Sequence, residues 1–112
     1  RWRGVVKERD AWKVYLIDIP RRTATPRMIV PSDEWSMSAR AAQETPFGER
    51  LRTFFKAPVW SVTRKPEGGW LVKVYDLRFT SLVLPRKTTF EYEFDVAARP
   101  SDGAKPRGVR IW

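Results

Sequence analysis

The sequence contains no cysteine and no histidine. The absence of cysteine excludes disulfides, thiolate zinc sites and a cysteine nucleophile. The absence of histidine removes the commonest general base and the commonest transition-metal ligand. An enzyme confined to these residues would need a carboxylate acid or base without help from imidazole or thiol. We therefore predict no catalytic residue, no metal site and no cofactor within this chain.

Long apolar runs are also missing. No stretch approaches the roughly 20 apolar residues that a membrane-spanning helix needs, and the first residues do not form a signal peptide pattern. We therefore predict a single soluble domain over residues 1–112. The chain begins with Arg1 rather than Met, directly in a strand-like pattern. This beginning predicts a C-terminal fragment of a longer polypeptide.

Positive charge is abundant, with 22 Lys and Arg against 13 Asp and Glu and a net charge of +9. A basic surface attracts polyanions or an anionic membrane face. Anionic lipid headgroups gain about 1 kcal/mol from each nearby Lys or Arg, whereas basic loops with interleaved aromatic residues suit single-stranded nucleic acid. We favour lipid over nucleic acid, because the charges are spread through most loops and no nucleic-acid-binding motif is present.

Strand patterns occupy the first third of the chain. The segments "RWRGVVKERD" and "AWKVYLIDIP" are rich in Val, Ile, Tyr and Trp and predict an antiparallel pair. The second segment has apolar groups on both faces, which predicts a central strand or a strand that lies between helices and a partner. The segment "RRTATPR" is interpreted as a basic loop, followed by a short strand from Met28 to Val30.

Helix signals follow. Ser32 or Asp33 is a suitable cap for a helix over Glu34 to Gln43. Thr45 and Pro46 mark the start of a second helix, and its spacing predicts one apolar stripe, composed of Phe47, Leu51, Phe54 and Phe55.

Strand patterns return in the last half. A hairpin is predicted around Gly68 and Gly69, because glycines supply the positive φ angles of a tight turn. Residues 82–84 are interpreted as a further extended segment. The segment "TFEYEFDV" alternates apolar and acidic residues, which predicts a strand, and "VRIW" is interpreted as a short last strand. Strands, helices and strands in this order predict an α+β fold: a mostly antiparallel sheet with about two short helices packed on one face.

Charged residues inside apolar strands are the candidates for a site. Asp76 and Arg78 are two residues apart in "WLVKVYDLRF", which would place them on one strand face about 6.5 to 7 Å apart at their α-carbons. An ion pair that fixes the sheet is the favoured interpretation, and a polar anchor for a ligand or partner is the alternative. Glu91, Glu93 and Asp95 form a carboxylate row, for which cross-strand ion pairs are favoured over a Mg²⁺ or Ca²⁺ site.

Three short motifs carry a resemblance: Arg1-Trp2-Arg3, the segment "FFKAP" at residues 54–58, and "YDLRF" at residues 75–79. With them, residues 1–96 resemble the soluble C-terminal region of the predicted membrane-bound metal-dependent hydrolases, a bacterial family. The tail from Ala97 to Trp112 has no counterpart in that resemblance.

The resemblance implies a parent protein in the bacterial inner membrane whose metal-binding histidines lie in its membrane-embedded N-terminal part. It implies that this domain is in solution, on the cytoplasmic side, and that a divalent metal belongs to the parent. We expect an accessory, non-catalytic domain that binds substrate, regulates or contacts a partner, with Trp2, Arg3, Asp76 and Arg78 as candidate contact residues. A basic nucleic-acid-binding module is the alternative.

Overall fold

The computed structural model describes residues 2–80 and 90–111. Within these residues the chain forms seven strands and two α-helices. In chain order the elements are β1 (Trp2–Glu8), β2 (Ala11–Asp18), β3 (Thr23–Pro31), α1 (Met37–Gln43), α2 (Pro46–Phe54), β4 (Pro58–Arg64), β5 (Trp70–Asp76), β6 (Phe90–Val96) and β7 (Ala104–Ile111). Short 3₁₀ turns cover Leu77–Phe79 and Pro100–Asp102. The strand suggested at residues 82–84 lies outside the described residues.

The first three strands form an antiparallel sheet in the order β1-β2-β3. This confirms the predicted antiparallel pair and the central position of β2. The interpretation of residues 21–27 as a basic loop is wrong in part. Residues 23–27 belong to β3, in which Thr23 to Pro26 pair with the end of β2 and Arg27 lies at the bulge. β3 is an edge strand with a bulge. Such a strand tolerates Pro26, because no hydrogen bond between strands is lost when the backbone N–H is missing there.

The two helices follow as predicted, with a corrected start for α1. Its N-cap is Ser36, whose hydroxyl accepts a hydrogen bond from the amide of Ala39 at 3.2 Å. The two proposed caps are engaged elsewhere: Ser32 Oγ accepts from the amide of Trp60, and the Asp33 carboxylate accepts from the amide of Val62. These bonds hold the end of β3 against strand β4.

Helix α2 begins with Thr45 as cap and Pro46 at its first position, as predicted. The predicted apolar stripe is wrong at Phe54, which is 59% exposed. Phe55 leaves the helix in an extended conformation and is buried in the core. Phe54 and Phe55 are adjacent and cannot lie on one face of a helix. The backbone bends after Phe54, so that the ring of Phe55 points into the core.

The remaining strands form a four-stranded antiparallel sheet in the order β4-β5-β6-β7. The predicted hairpin is confirmed: Lys65 and Gly69 close the turn, and Gly68 and Gly69 have φ angles of 102° and 83°. The last strand begins at Ala104, earlier than the short strand suggested at "VRIW". It pairs with β6 through a register shift between Glu93 and Phe94.

Two apolar cores result. The larger core packs α1 and α2 on the four-stranded sheet, through Ala39, Ala42, Leu51, Phe55, Trp60, Val72, Val74, Phe94 and Val96. The smaller core joins the inner face of the three-stranded sheet to the start of β4 and the end of β5, through Trp12, Val14, Val30, Ala57, Val59 and Leu77. The α+β class is confirmed, with the strands divided between two sheets.

Candidate functional site

Three of the four candidate residues meet where the two sheets join. Asp76 is the last residue of β5, Arg78 lies in the following 3₁₀ turn, and Arg3 reaches this turn from β1. Trp2 is not part of the cluster, because its neighbour Arg3 points inward and Trp2 points to the opposite face of the sheet. Trp2 is 65% exposed.

Asp76 and Arg78 do not share a strand face, so that part of the prediction is wrong. The strand ends at Asp76 because its side chain accepts a hydrogen bond from the amide of Arg78 at 2.9 Å and thereby caps the 3₁₀ turn. A carboxylate two residues before an exposed amide favours such a turn over continued pairing. The predicted ion pair itself is present, with Arg78 Nη2 at 2.6 Å from Asp76 Oδ2.

The carboxylate of Asp76 is buried, with 1% of the residue exposed. Oδ1 accepts from the amide and from Nε of Arg78 at 2.9 and 3.1 Å. Oδ2 accepts from the amide of Lys56 at 3.0 Å and from Nε and Nη2 of Arg78 at 3.0 and 2.6 Å. Both oxygens are therefore fully engaged by donors of the chain itself.

Arg3 extends this network to the three-stranded sheet. Its guanidinium donates to the carbonyl oxygen of Arg78 at 3.0 Å, and to the carbonyl and hydroxyl oxygens of Thr80 at 3.1 and 3.0 Å. The turn after β5 is thus held by Asp76 from one side and by Arg3 from the other. These polar contacts lie next to the smaller apolar core, and those of Arg3 cross the junction of the sheets.

The electrostatics agree with a fixed ion pair. Burial alone would raise the pKa of Asp76, but hydrogen bonds from Arg78 and from the amide of Lys56 outweigh it and lower that pKa below its ordinary value. The hydrogen bond to Asp76 raises the pKa of Arg78. Both groups are therefore charged at neutral pH. A carboxylate held in this way has little capacity left to take a proton or a metal.

Glu91 and Asp95 of the carboxylate row on β6 lie beside neighbouring cations, as the favoured interpretation predicted. Lys65 Nζ lies 2.9 Å from Asp95 Oδ1, and Lys73 Nζ lies 3.8 Å from Glu91 Oε1. Arg107 adds a third contact, 3.7 Å from Asp95. Glu91 is nearly buried, with 9% of the residue exposed. Across residues 2–80 and 90–111, no group of three or more Asp or Glu side chains is arranged to hold a metal ion.

One surface cavity was not predicted from the sequence. A surface cavity of about 550 Å³ lies between the β4–β5 turn and the start of β7, lined in part by Lys65, Asp95, Asp102 and Lys105. The turn and the start of β7 are far apart in sequence and meet only because β6 pairs with both flanking strands. Its lining carries charges of both signs, and two of them already form the ion pair between Lys65 and Asp95.

A second feature that was missed is the face of the three-stranded sheet turned away from the smaller core. We call it the outer face and define it by Trp2, Val6, Tyr15, Ile17 and Ile29. The strand register places these residues on one side, because Trp2 pairs with Ile17 and Val6 pairs with Lys13, which in turn pairs with Ile29. The alternation of β2 was visible in the sequence, but the exposure of this face depends on the helices packing on the other sheet.

Comparisons with family models, with curated proteins and with solved structures find no match for this chain. The resemblance to membrane-bound metal-dependent hydrolases therefore rests on the three short motifs named above. Two of them, "FFKAP" and "YDLRF", meet at the sheet junction through the bond from Lys56 to Asp76. In the part of the chain that the structure describes, no helix has the length and apolar character to span a bilayer.

Proposed function

We propose that this chain is a non-catalytic accessory domain of a membrane-bound metal-dependent hydrolase. The observation that carries the proposal is the engagement of Asp76: its two carboxylate oxygens are filled by Arg78 and by the amide of Lys56. Among the described residues, Asp76 is the most deeply buried charged group, and on this proposal it holds the turn after β5 and is not left available for chemistry. Arg3 supports the same joint from β1.

The divalent metal that the resemblance implies does not fit the residues of this chain. The sequence offers neither imidazole nor thiolate ligands. Of the carboxylates, Asp76 is saturated with hydrogen bonds, and Asp95 lies against two cationic side chains. A divalent ion would have to displace those cations and break the sheet junction. On this proposal the metal belongs to the membrane-embedded N-terminal part of the parent protein, which is also the first partner of this domain.

The surroundings of the domain are proposed from the resemblance as well. By the resemblance the domain belongs on the cytoplasmic side of the bacterial inner membrane, the side on which Lys and Arg close to a spanning segment are retained. The domain would then bind substrate, regulate the membrane part or contact a partner there. Among these roles, contact is the one for which the outer face offers a surface.

The proposal is tested by the reading frame that precedes Arg1. Several hydrophobic spans with histidines are expected there, and their absence would overturn the proposal. A second measurement uses the 112-residue chain itself. With Mg²⁺, Mn²⁺ or Zn²⁺ supplied, we expect no turnover of phosphate, ester or peptide substrates, and turnover that disappears in an Asp95→Asn variant would contradict a non-catalytic role.

The alternative function, a basic nucleic-acid-binding module, is separated by salt dependence. Contacts to phosphates release counterions, so the affinity for single-stranded DNA or RNA would fall steeply as the salt concentration rises. We expect weak retention on these nucleic acids. Tight binding with a steep salt slope at physiological salt would favour the alternative.

A further inference from the structure

The outer face of the three-stranded sheet combines exposed apolar side chains with a basic surround. Trp2 is 65% exposed, Val6 48% and Ile29 54%. Tyr15 and Ile17 lie half-buried between them on the central strand. Ile19 extends the apolar surface beyond β2 and is 59% exposed. Exposed apolar side chains grouped on one face of a sheet are a mark of a contact site.

The helices leave this face uncovered within the described residues. Both α1 and α2 pack on the four-stranded sheet through the larger core. The three-stranded sheet uses its inner face, with Trp12, Val14 and Val30, for the smaller core. Gly4 lies on the outer face, where Ile17 covers it so closely that an added Cβ would meet Ile17 Cδ1 at 2.7 Å. The side chain of Ile17 therefore packs along the sheet over Gly4.

The charges around the face are strongly positive. Residues 2–31 contain seven Lys or Arg and three Asp or Glu. Four of the arginines are exposed, and they lie in the turns or in the edge strand: Arg9, Arg21, Arg22 and Arg27. The pair Arg21 and Arg22 lies in the turn between β2 and β3, beside the exposed Ile19. The exposed arginines thus surround a face that is mostly apolar and that also carries Lys13, between Val6 and Ile29.

We propose that the outer face docks on an anionic lipid bilayer, with Trp2 and the aliphatic side chains at the headgroup–acyl boundary and the arginines on lipid phosphates. Interfacial binding of this type combines buried apolar area with attraction to anionic lipids. Tryptophan is enriched at this depth because its ring is amphipathic. The inference deepens the proposed function and rests on it only for the presence of a nearby membrane.

Charge and side-chain chemistry favour a lipid surface over two other binding partners, a second copy of this chain and single-stranded nucleic acid. Two copies of this face would bring their cationic rims together, which disfavours a symmetric dimer. Single-stranded nucleic acid needs aromatic platforms for its bases. Trp2 is the one strongly exposed aromatic ring of this face, and Val6, Ile19 and Ile29 offer no stacking surface. Acyl chains accept aliphatic and aromatic side chains alike.

The test is sedimentation of the 112-residue chain with vesicles of phosphatidylcholine, with and without about 30% phosphatidylglycerol. We expect binding at least about tenfold tighter to the anionic vesicles, and roughly 30-fold weaker binding for Arg21→Gln/Arg22→Gln. Arg50→Gln/Arg52→Gln on α2 is the matched control, since it removes the same charge from exposed positions elsewhere. Equal losses for both pairs would overturn the proposal.

Labelling locates the contact independently of affinity. The chain has no cysteine, so Val6→Cys and Met37→Cys each accept one environment-sensitive fluorophore. Met37 is 72% exposed on α1 and serves as the matched position. With anionic vesicles, we expect a blue-shifted, brighter emission at position 6 and little change at position 37. The reverse pattern, or no change at either position in the bound state, would overturn the proposal.

Further outcomes distinguish a lipid surface from nucleic acid and from a second copy of the chain. They also distinguish failure of the docking proposal from failure of the proposed function. A blue shift at position 6 with single-stranded nucleic acid but not with vesicles would assign the face to nucleic acid and overturn the proposal. A shift that appears on concentrating the chain without lipid, with a doubled mass in light scattering, would overturn it in favour of a second copy. Because purified vesicles contain no parent protein, failure here leaves the reading-frame test of the proposed function untouched, and the converse also holds.

Discussion

Removing the carboxylate of Asp76 tests whether the ion pair with Arg78 stabilises the turn after β5, which Arg3 of the three-stranded sheet contacts. In Asp76→Ala the amides of Lys56 and Arg78 lose their acceptor. An unsatisfied buried donor costs about 1–3 kcal/mol. The guanidinium of Arg78 loses its partner too, but its side chain is 41% exposed, so water can solvate it. We expect the free energy of unfolding to fall by about 3 kcal/mol.

Arg78→Ala removes the other partner. Breaking a buried ion pair costs about 3–5 kcal/mol, and this cost is reduced here because Asp76 keeps two amide donors and Arg78 is partly exposed. We expect a loss of about 2 kcal/mol. Since both single variants lose the same interaction, the double variant should lose about 1.5 kcal/mol less than the sum of the two.

The assay is urea unfolding followed by tryptophan fluorescence. For a slope of about 1.5 kcal/mol per molar urea, the loss expected for Asp76→Ala lowers the midpoint by about 2 M. Glu67→Ala in the exposed β4–β5 turn is the control, and its free energy of unfolding should stay within about 0.5 kcal/mol of the original. Additive losses, or a loss below about 1 kcal/mol for Asp76→Ala, would show that the pair is worth no more than a surface ion pair, and the structural role assigned to it would be refuted.

Three further predictions concern the same framework. The pKa of Asp76 is lowered in the folded chain, so its stabilising contribution is present above the unfolded-state pKa of about 3.9 and is lost as the pH falls through the folded-state pKa. In acid titrations, the difference in unfolding free energy between the original chain and Asp76→Asn should therefore shrink below about pH 4. Gly48→Ala should destabilise the chain by about 3 kcal/mol in urea unfolding, because an added Cβ would meet the carbonyl oxygen of Ala42 at 2.0 Å. Ser32→Ala should cost about 2 kcal/mol in the same assay, since the buried amide of Trp60 donates to the Ser32 hydroxyl.

The sequence was sufficient for the elements whose signals are local. The turn at Gly68 and Gly69 and the start of α2 at Thr45 are determined by residues a few positions apart, and both were predicted correctly. The central position of β2 followed from its two apolar faces. Local propensity decides such features because no distant residue competes with them.

Other features depend on distant partners and could not be predicted. Ser32 and Asp33 have the side chains of helix caps, but β4 needs acceptors at its edge and engages both of them. The helix consequently begins later, at the next suitable residue, Ser36. The division into two sheets has the same origin, because strand pairing beyond hairpins leaves no mark in the spacing of residues.

The candidate site shows the same limit. The spacing of Asp76 and Arg78 predicted an ion pair, which is present, but on a shared strand face, which is not. The alternation of side chains along a strand does not show where the strand ends. Here it ends at Asp76, because the Asp76 carboxylate accepts a hydrogen bond from the amide of Arg78 once that amide turns inward. The contact with Arg3, 75 residues away from Arg78 in sequence, was outside the reach of any local pattern.

The junction and the outer face are linked through β1. Arg3 ties this strand to the turn after β5 on the inner side, and alternation then directs Trp2 and Gly4 to the other side. Loss of Asp76 should therefore weaken folding without changing which residues face outward in the folded fraction. In Asp76→Ala at low urea, a fluorophore at position 6 should still respond to anionic vesicles whenever the chain is folded. Loss of that response in the folded chain would mean that the ion pair shapes the outer face directly, and that stability and membrane contact are one property of this domain.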